Sequence, residues 1–339
     1  MPHALVSHIS DHSAIIWRSM KNILAADIGG THSRFAHFRE DEKGGLSLVE
    51  LKWLKTAEAA SFKQLVGNLR EKKMALRPEG ADIVAIAIAG PVEDGLKSSP
   101  PFISWSIDLS NAEKDFGFRN AALLNDFVAQ AFACISEAGK SADKVLPGTA
   151  AADAAIAVIG AGTGLGHCAL MPDGSGRFTA LPSEAGHSNF AFVSPAEFEY
   201  QEFLMRERGE RYITGNTVVS GKGLSYLHRF LTGKDLSPPE VAAIFTQHPS
   251  TLEWASRFYG RACRNYALQV LGRGGLYIAG GVAAKSPELV FHKAFASEFR
   301  TSDTLAPLLE KIPVYLIRDE NSGLWGAAEY ARQKLKKSG

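Results

Sequence analysis

Ile23-Leu24-Ala25-Ala26-Asp27-Ile28-Gly29-Gly30-Thr31-His32-Ser33-Arg34-Phe35-Ala36 decides how this chain is read: an apolar strand delivers an aspartate into paired glycines, and a second strand then resumes. Glycines leave the turn without Cβ atoms, so backbone N–H groups can close on a polyphosphate, with the Thr31 hydroxyl as a further donor. Asp27, at the mouth of the turn, suits a hydrated Mg²⁺, because magnesium takes one or two carboxylates and keeps its waters. The same residues also fit an ordinary hairpin in which the glycines only make the turn.

A second glycine loop shifts the balance. Residues 154–159 form another apolar run, followed by Gly160-Ala161-Gly162-Thr163-Gly164-Leu165-Gly166 and then by the apolar Cys168-Ala169-Leu170. Both instances read strand, small-residue turn with a threonine, strand. Neither opens a helix, as a Walker loop or a dinucleotide fingerprint requires. The spacing G-x-G-x-x-G would need glycine where Leu165 or His167 stands. Near Gly221-Lys222 the Walker pattern also fails, with Gly215 one residue too early and Gly223 in the Ser/Thr position. Two such loops about a domain apart point to a duplicated, two-lobed phosphotransferase that holds ATP from both sides of a cleft.

On these motifs the chain resembles the bacterial glucokinase family, within the actin-like and hexokinase superfamily of sugar kinases. Asp27-Ile28-Gly29-Gly30-Thr31 resembles its first phosphate motif, residues 160–166 its second, and Tyr277-Ile278-Ala279-Gly280-Gly281-Val282 its adenosine motif. Ile88-Ala89-Gly90-Pro91-Val92, Leu123-Leu124-Asn125-Asp126-Phe127, Leu181-Pro182-Ser183-Glu184-Ala185-Gly186-His187 and Ile312-Pro313-Val314-Tyr315-Leu316 fall in the family's order, from about residue 22 to about residue 332. The resemblance implies an α/β, ribonuclease H-like fold of two lobes, each a mixed sheet flanked by helices. It implies ATP and Mg²⁺, a homodimer, and phosphorylation of glucose to glucose 6-phosphate. Ala26, Asp27, Ile28, Gly29, Gly30 and Thr31 form the first nucleotide-binding set, with Asp27 on the metal, while Gly162, Thr163, Gly164, Gly280 and Gly281 form the second.

Asp126 is the expected catalytic base. It follows an apolar strand and precedes an amphipathic helix, which puts its carboxylate at a strand's carboxyl end and near the positive end of a helix dipole. An ionised carboxylate in reach of a sugar's primary hydroxyl can take its proton as that oxygen attacks the γ-phosphate, and a weak base suffices because the transition state is loose. Asp126 or Asn125 could instead be a helix N-cap. Glu184 and His187, three residues apart, can each bond sugar hydroxyls, and the resemblance implies that role, with Asn125 and Asp126 beside them. A surface pair or half of a metal site are the alternatives. Arg34 also matches a family arginine and reads as structural.

Two departures bear on the substrate. Many family members carry Thr-Asn shortly before the tryptophan matched by Trp105, and Pro101-Phe102 stand here instead. Where the family usually has a second sugar-binding glutamate, shortly before Ser220-Gly221, this chain has Asn216. An amide keeps an acceptor and loses charge assistance, a change of about 1 kcal/mol per hydrogen bond. A kinase of another hexose or an amino sugar, or a non-catalytic sugar-binding regulator, are therefore the alternative functions.

Composition fits a cytoplasmic enzyme. The 339 residues allow two domains, 45% hydrophobic content is ordinary, and a net charge of +1 gives no basic footprint for nucleic acid or an anionic membrane. Cys134, Cys168 and Cys263 are too scattered for a disulfide framework or a thiolate metal site. No apolar run reaches the ~20 residues of a membrane span. Residues 1–21 read as an N-terminal extension that makes a poor signal peptide, with Met20 an alternative first residue. Helical spacing is expected at 61–74, 109–116, 127–135, 195–208, 252–271 and 323–336, and strands at 46–55, 83–89, 121–124 and 314–317. The small, polar stretch 137–153 is the expected lobe boundary. That gives a small lobe of 22–136, completed by the C-terminal helix 323–339, and a large lobe of 137–322.

Overall fold

The computed structural model describes residues 20–337, and residues 1–19 of the expected extension lie outside the described residues. Strand β1 (Lys21–Ile28) has no polar face to offer, since Ile23, Leu24, Ala25 and Ala26 are all fully buried. A strand buried on both faces belongs in the middle of a sheet with parallel partners. β1 pairs antiparallel with β2 (His32–Glu40), which pairs antiparallel with β3 (Leu46–Lys55). On its other side β1 runs parallel to the equally buried β4 (Ile83–Ile88). A small ribbon of β5 (Lys97–Ser98) and β6 (Ile107–Asp108) intervenes before β7 (Ala121–Asn125) completes the order β3-β2-β1-β4-β7.

The second sheet repeats that plan. Its edge strand β8 (Asp143–Leu146) precedes β9 (Ile156–Ala161), β10 (Leu165–Pro172) and β11 (Phe178–Ser183), followed by β12 (Leu276–Ala279) and β13 (Val314–Leu316). The order is β11-β10-β9-β12-β13-β8, with β9, β10 and β11 antiparallel in succession and β9, β12 and β13 parallel. β9 therefore plays the part of β1 and β10 that of β2. The glycine turns Gly29-Gly30 and 162–164 are equivalent connections in two copies of one topology.

The chain divides into two compact units, Met1–Asp126 with Ala327–Gly339, and Phe127–Gly326. In the first, the helix Phe62–Glu71 is started by Ser61, whose hydroxyl accepts the Gln64 N–H at 3.1 Å, and it buries Phe62, Leu65, Val66 and Leu69. In the second, the helices Pro195–Arg208, Pro249–Gln269 and Lys293–Arg300 are tied together by the fully buried Arg261, which donates to Glu197 at 2.6 Å and to Glu298 at 2.8 Å. Removing either partner of such a pair strands a buried charge, at about 3–5 kcal/mol.

The expected lobe boundary at 137–153 is corrected. The division falls between Asp126 and Phe127 and again between Gly326 and Ala327, within the helices Asp126–Ala133 and Ser322–Lys337. The polar stretch instead carries the helix Glu137–Lys140 and β8, which pairs with β13 and buries Leu146. Asp143 and Lys144 face solvent from an edge strand, so the segment has no apolar alternation to read.

Candidate active site

In the first unit, three parallel strands end side by side. Register pairs Ile28 with Ile88 and Ile88 with Asn125, so the turn after β1, the Gly90 bend after β4 and Asp126 after β7 share one edge of the sheet. That is where open α/β sheets bind ligands. The strand spacing puts the ends of β1 and β7 about 10 Å apart. Gly90 has φ +103°, a conformation that favours glycine, and its carbonyl accepts a hydrogen bond from the Asn125 side-chain amide at 3.0 Å. Asp126 is half-buried as the first residue of its helix.

Asp27 faces Arg34 across the β1–β2 ladder, and the two form an ion pair, each about one-fifth exposed. The Arg34 guanidinium lies 5.3 Å from the ring centroid of Trp53, its register partner on β3. Arg34 thus positions the carboxylate, in keeping with a structural role. The turn itself is closed by Gly29 donating to the His32 carbonyl at 3.0 Å, and Thr31 is held through its carbonyl, which accepts the Thr56 N–H at 2.9 Å. Gly30 and Thr31 are exposed, whereas the side chains of Ala26 and Ile28 lie in the hydrophobic core. Of the expected first nucleotide set, those two can meet a ligand only through their backbone.

In the second unit the two expected nucleotide motifs leave neighbouring parallel strands. Gly160 pairs with Ala279, and a Cβ on Gly160 would come 2.3 Å from the Ala279 carbonyl oxygen. Gly280, with φ +87°, leads into the short helix Gly281–Lys285. The loop between β9 and β10 is closed by Gly162 donating to Gly164 at 2.8 Å. The Gly221 N–H, at the start of the helix Gly221–Thr232, then donates to the Gly162 carbonyl at 3.0 Å. Gly162 and Thr163 are exposed, and nothing lies within 4 Å of a Cβ on Gly162. The Gly162 N–H is spent on closing the loop, and the Thr163 and Gly164 amides are the ones that fit a polyphosphate.

Glu184 and His187 are brought together by a single 3₁₀ turn, Ala185–His187, in which the His187 N–H donates to the Glu184 carbonyl at 2.9 Å. Their side chains are largely exposed, with Oε2 and Nε2 3.7 Å apart. Asn216 is already engaged, its Oδ1 accepting the Leu165 N–H at 2.7 Å. His187 and Asn216 line a cavity of about 530 Å³ together with Thr163, Ser220 and Lys222. The tie from Asn216 to the phosphate loop is a link that sequence spacing does not disclose.

A metal at Asp27 is compatible with these residues in one form only. Among the described residues no group of three or more His, Cys, Asp or Glu side chains could hold an ion. A lone carboxylate beside a glycine turn fits magnesium that keeps water and phosphate ligands, not a protein cage. Burial raises the thiols of Cys134, Cys168 and Cys263, that of Cys168 to about 12, so they are inert at neutral pH.

The family model described as Glucokinase matches residues 24–334. The chain belongs to the glucokinase family. A glucokinase of Pseudomonas paraeruginosa (strain DSM 24068 / PA7) is 31% identical over 325 residues, covering 92% of this chain and 93% of its own. One from Nostoc punctiforme is 28% identical over 342 residues, covering 91% and 98%. Among solved structures, a glucokinase from an Antarctic psychrotroph superposes with a TM-score of 0.80 at 25% identity, over 92% of this chain and 99% of that one. A ROK family glucokinase from Streptomyces griseus, at 20% identity and a TM-score of 0.58, has the same fold. The expected family and actin-like fold are thus met. Among the described residues no helix is long and apolar enough to cross a membrane.

Proposed function

We propose that the protein transfers the γ-phosphoryl group of ATP to the 6-hydroxyl of glucose. The reading rests on family membership and on one observation, the shared strand edge that carries Asp27, the Gly29-Gly30 turn and Asn125-Asp126. Asp126 accepts the proton of the sugar hydroxyl as it attacks, while Asn125 holds the Gly90 bend beside it. Glu184 and His187 bond the ring hydroxyls, and the backbone amides of Gly30, Thr163 and Gly164 take the phosphates, with the Gly280-Gly281 turn toward the adenosine. Asp27 is the carboxylate that would hold magnesium, which when bound neutralises charge on the polyphosphate. The reading includes a cytoplasmic homodimer, to be checked by sedimentation.

A second reading, a kinase of another hexose or an amino sugar, is favoured by Asn216, an uncharged amide whose oxygen already accepts the Leu165 N–H. A coupled assay across a panel of hexoses with ATP and Mg²⁺ separates the two. Highest kcat/KM with glucose supports the first, highest kcat/KM with another sugar supports the second, and sugar binding without turnover marks a regulator and overturns both.

A further inference from the structure

Phe102 is the most exposed large apolar side chain among the described residues, at 67%. A single exposed aromatic is ordinary on a protein surface, and what sets Phe102 apart is the place where its backbone is held. The segment around it is built rather than loose. Trp105 donates its indole N–H to the Ala59 carbonyl at 2.8 Å, Ser98 donates its hydroxyl to the Pro91 carbonyl at 2.7 Å, and the Ile103 N–H reaches back to Pro100. Pro101 fits against Gly90, where a Cβ would come 2.8 Å from its Cδ, and Gly90 is the residue that Asn125 grips. Phe102 itself abuts the phosphate turn, since a Cβ on Gly30 would lie 3.0 Å from the Phe102 carbonyl oxygen and 3.2 Å from its Cβ. The backbone that carries the Phe102 ring is therefore held between the Gly29-Gly30 turn and the bend beside Asn125-Asp126.

We propose that Phe102 is a sugar-binding residue whose ring stacks on the apolar C–H face of the hexose. The inference rests on the sugar-kinase reading above and adds a contact that reads shape in place of hydroxyls. The face of an aromatic ring carries negative charge density and attracts the weakly positive C–H groups of a pyranose. A hexose with equatorial hydroxyls presents a continuous C–H face, and an axial hydroxyl on that face interrupts it. The ligand class is thus an all-equatorial hexopyranose, for which stacking supplies affinity that an amide at position 216 does not.

The test uses the full chain with Phe102→Ala and Phe102→Trp, measuring KM and kcat for glucose and for ATP, and glucose binding by calorimetry without nucleotide. Phe102→Ala should raise the glucose KM and Kd about tenfold, equivalent to about 1.4 kcal/mol, with kcat changed less than threefold and the ATP KM unmoved. Phe102→Trp should bind glucose as well as the wild type or better. The proposal is overturned if Phe102→Ala binds glucose like the wild type, if the loss appears in the ATP KM, or if only sedimentation changes, which would mark an interface between copies. If the wild type turns over no hexose the kinase reading fails. Stacking then stands on the calorimetry alone, and absence of any glucose binding overturns it too.

Discussion

The ring of Phe127 fills the space that a side chain on Gly166 would need: a Cβ there would come 2.0 Å from Cε2, and one on Gly160 would lie 3.2 Å from Cζ. Phe127 follows Asp126 directly, so the residue after the proposed base is wedged against both strands that carry the second phosphate loop. Gly166→Ala should therefore cost about 1–3 kcal/mol of stability, the usual effect of overpacking. A double-mutant cycle with Phe127→Leu checks the cause. The penalty should shrink when the ring is removed, and an unchanged penalty would mean that Gly166 is needed for its backbone alone.

Asp126→Asn keeps the size of the side chain and removes the proton acceptor. Turnover should fall by roughly 10²–10⁴ with the glucose KM little altered, as expected when only a general base is lost. Near-normal kcat would leave Asp126 as a residue that merely starts the helix Asp126–Ala133.

Asp27→Ala should act through the metal. Its carboxylate is paired with Arg34, so the variant also leaves the guanidinium against Trp53 without its acidic partner. We expect a loss of roughly tenfold or more in kcat/KM for ATP, the worth of one charge-assisted contact, which higher Mg²⁺ partly restores. Arg34→Gln, titrated in the same way, keeps the carboxylate and relieves it of its cation, so it should lose stability with a magnesium requirement that changes much less than in Asp27→Ala. A magnesium response of equal size in both variants would argue against Asp27 as the metal ligand.

Much of this was legible because the deciding signals are local. The run from Ile23 to Ile28 ending in paired glycines has one reasonable shape, and the buried strand Ile83–Ile88 before Gly90 has another. Asp126 was legible as a strand-to-helix junction. The pairing of Asp27 with Arg34 was not, because it depends on hairpin register, nor was the use of the Asn216 amide to hold the Leu165 N–H, because the two residues meet only after folding. Arg261 carries no local signal in sequence, since its two glutamate partners stand on other helices, and it is fully buried between them. β8 has no strand signal in sequence, since an edge strand with polar side chains resembles a linker.

His167 lies on β10, next to Gly166, buried against the ring of Tyr266 with centroids 4.6 Å apart. Burial pushes its imidazole down to about 4 from 6.5. The unfolded chain thus binds a proton that the folded one refuses. Stability is unaffected above pH 6.5 and is lost as pH falls from 6.5 toward 4, by up to about 3 kcal/mol from this residue. Thermal unfolding at pH 7 and pH 5 should show Tm falling with pH, and His167→Gln should flatten the part due to this side chain. Unchanged pH dependence in that variant would assign acid sensitivity to other groups.

Asn216→Glu tests the sugar contact that the chain lacks. The amide oxygen of Asn216 accepts the Leu165 N–H at 2.7 Å, which leaves an NH₂ donor and at most one neutral lone pair for any ligand in the cavity it lines with His187. A carboxylate has two oxygens. One can keep the Leu165 bond that ties the loop to the helix Gly215–Val218, and the other is free to accept from a sugar hydroxyl with charge assistance. A Cβ on Gly164 would lie 3.1 Å from the present amide oxygen, so a glutamate must fit its longer side chain beside a glycine that leaves room for it. The glucose KM should fall by up to roughly tenfold, the worth of one such bond, with kcat little changed. If glucose binds more weakly instead, and the wild type prefers another hexose, Asn216 is an adaptation to that sugar. Kinase chemistry at Asp126 would then stand while glucose gives way as the substrate.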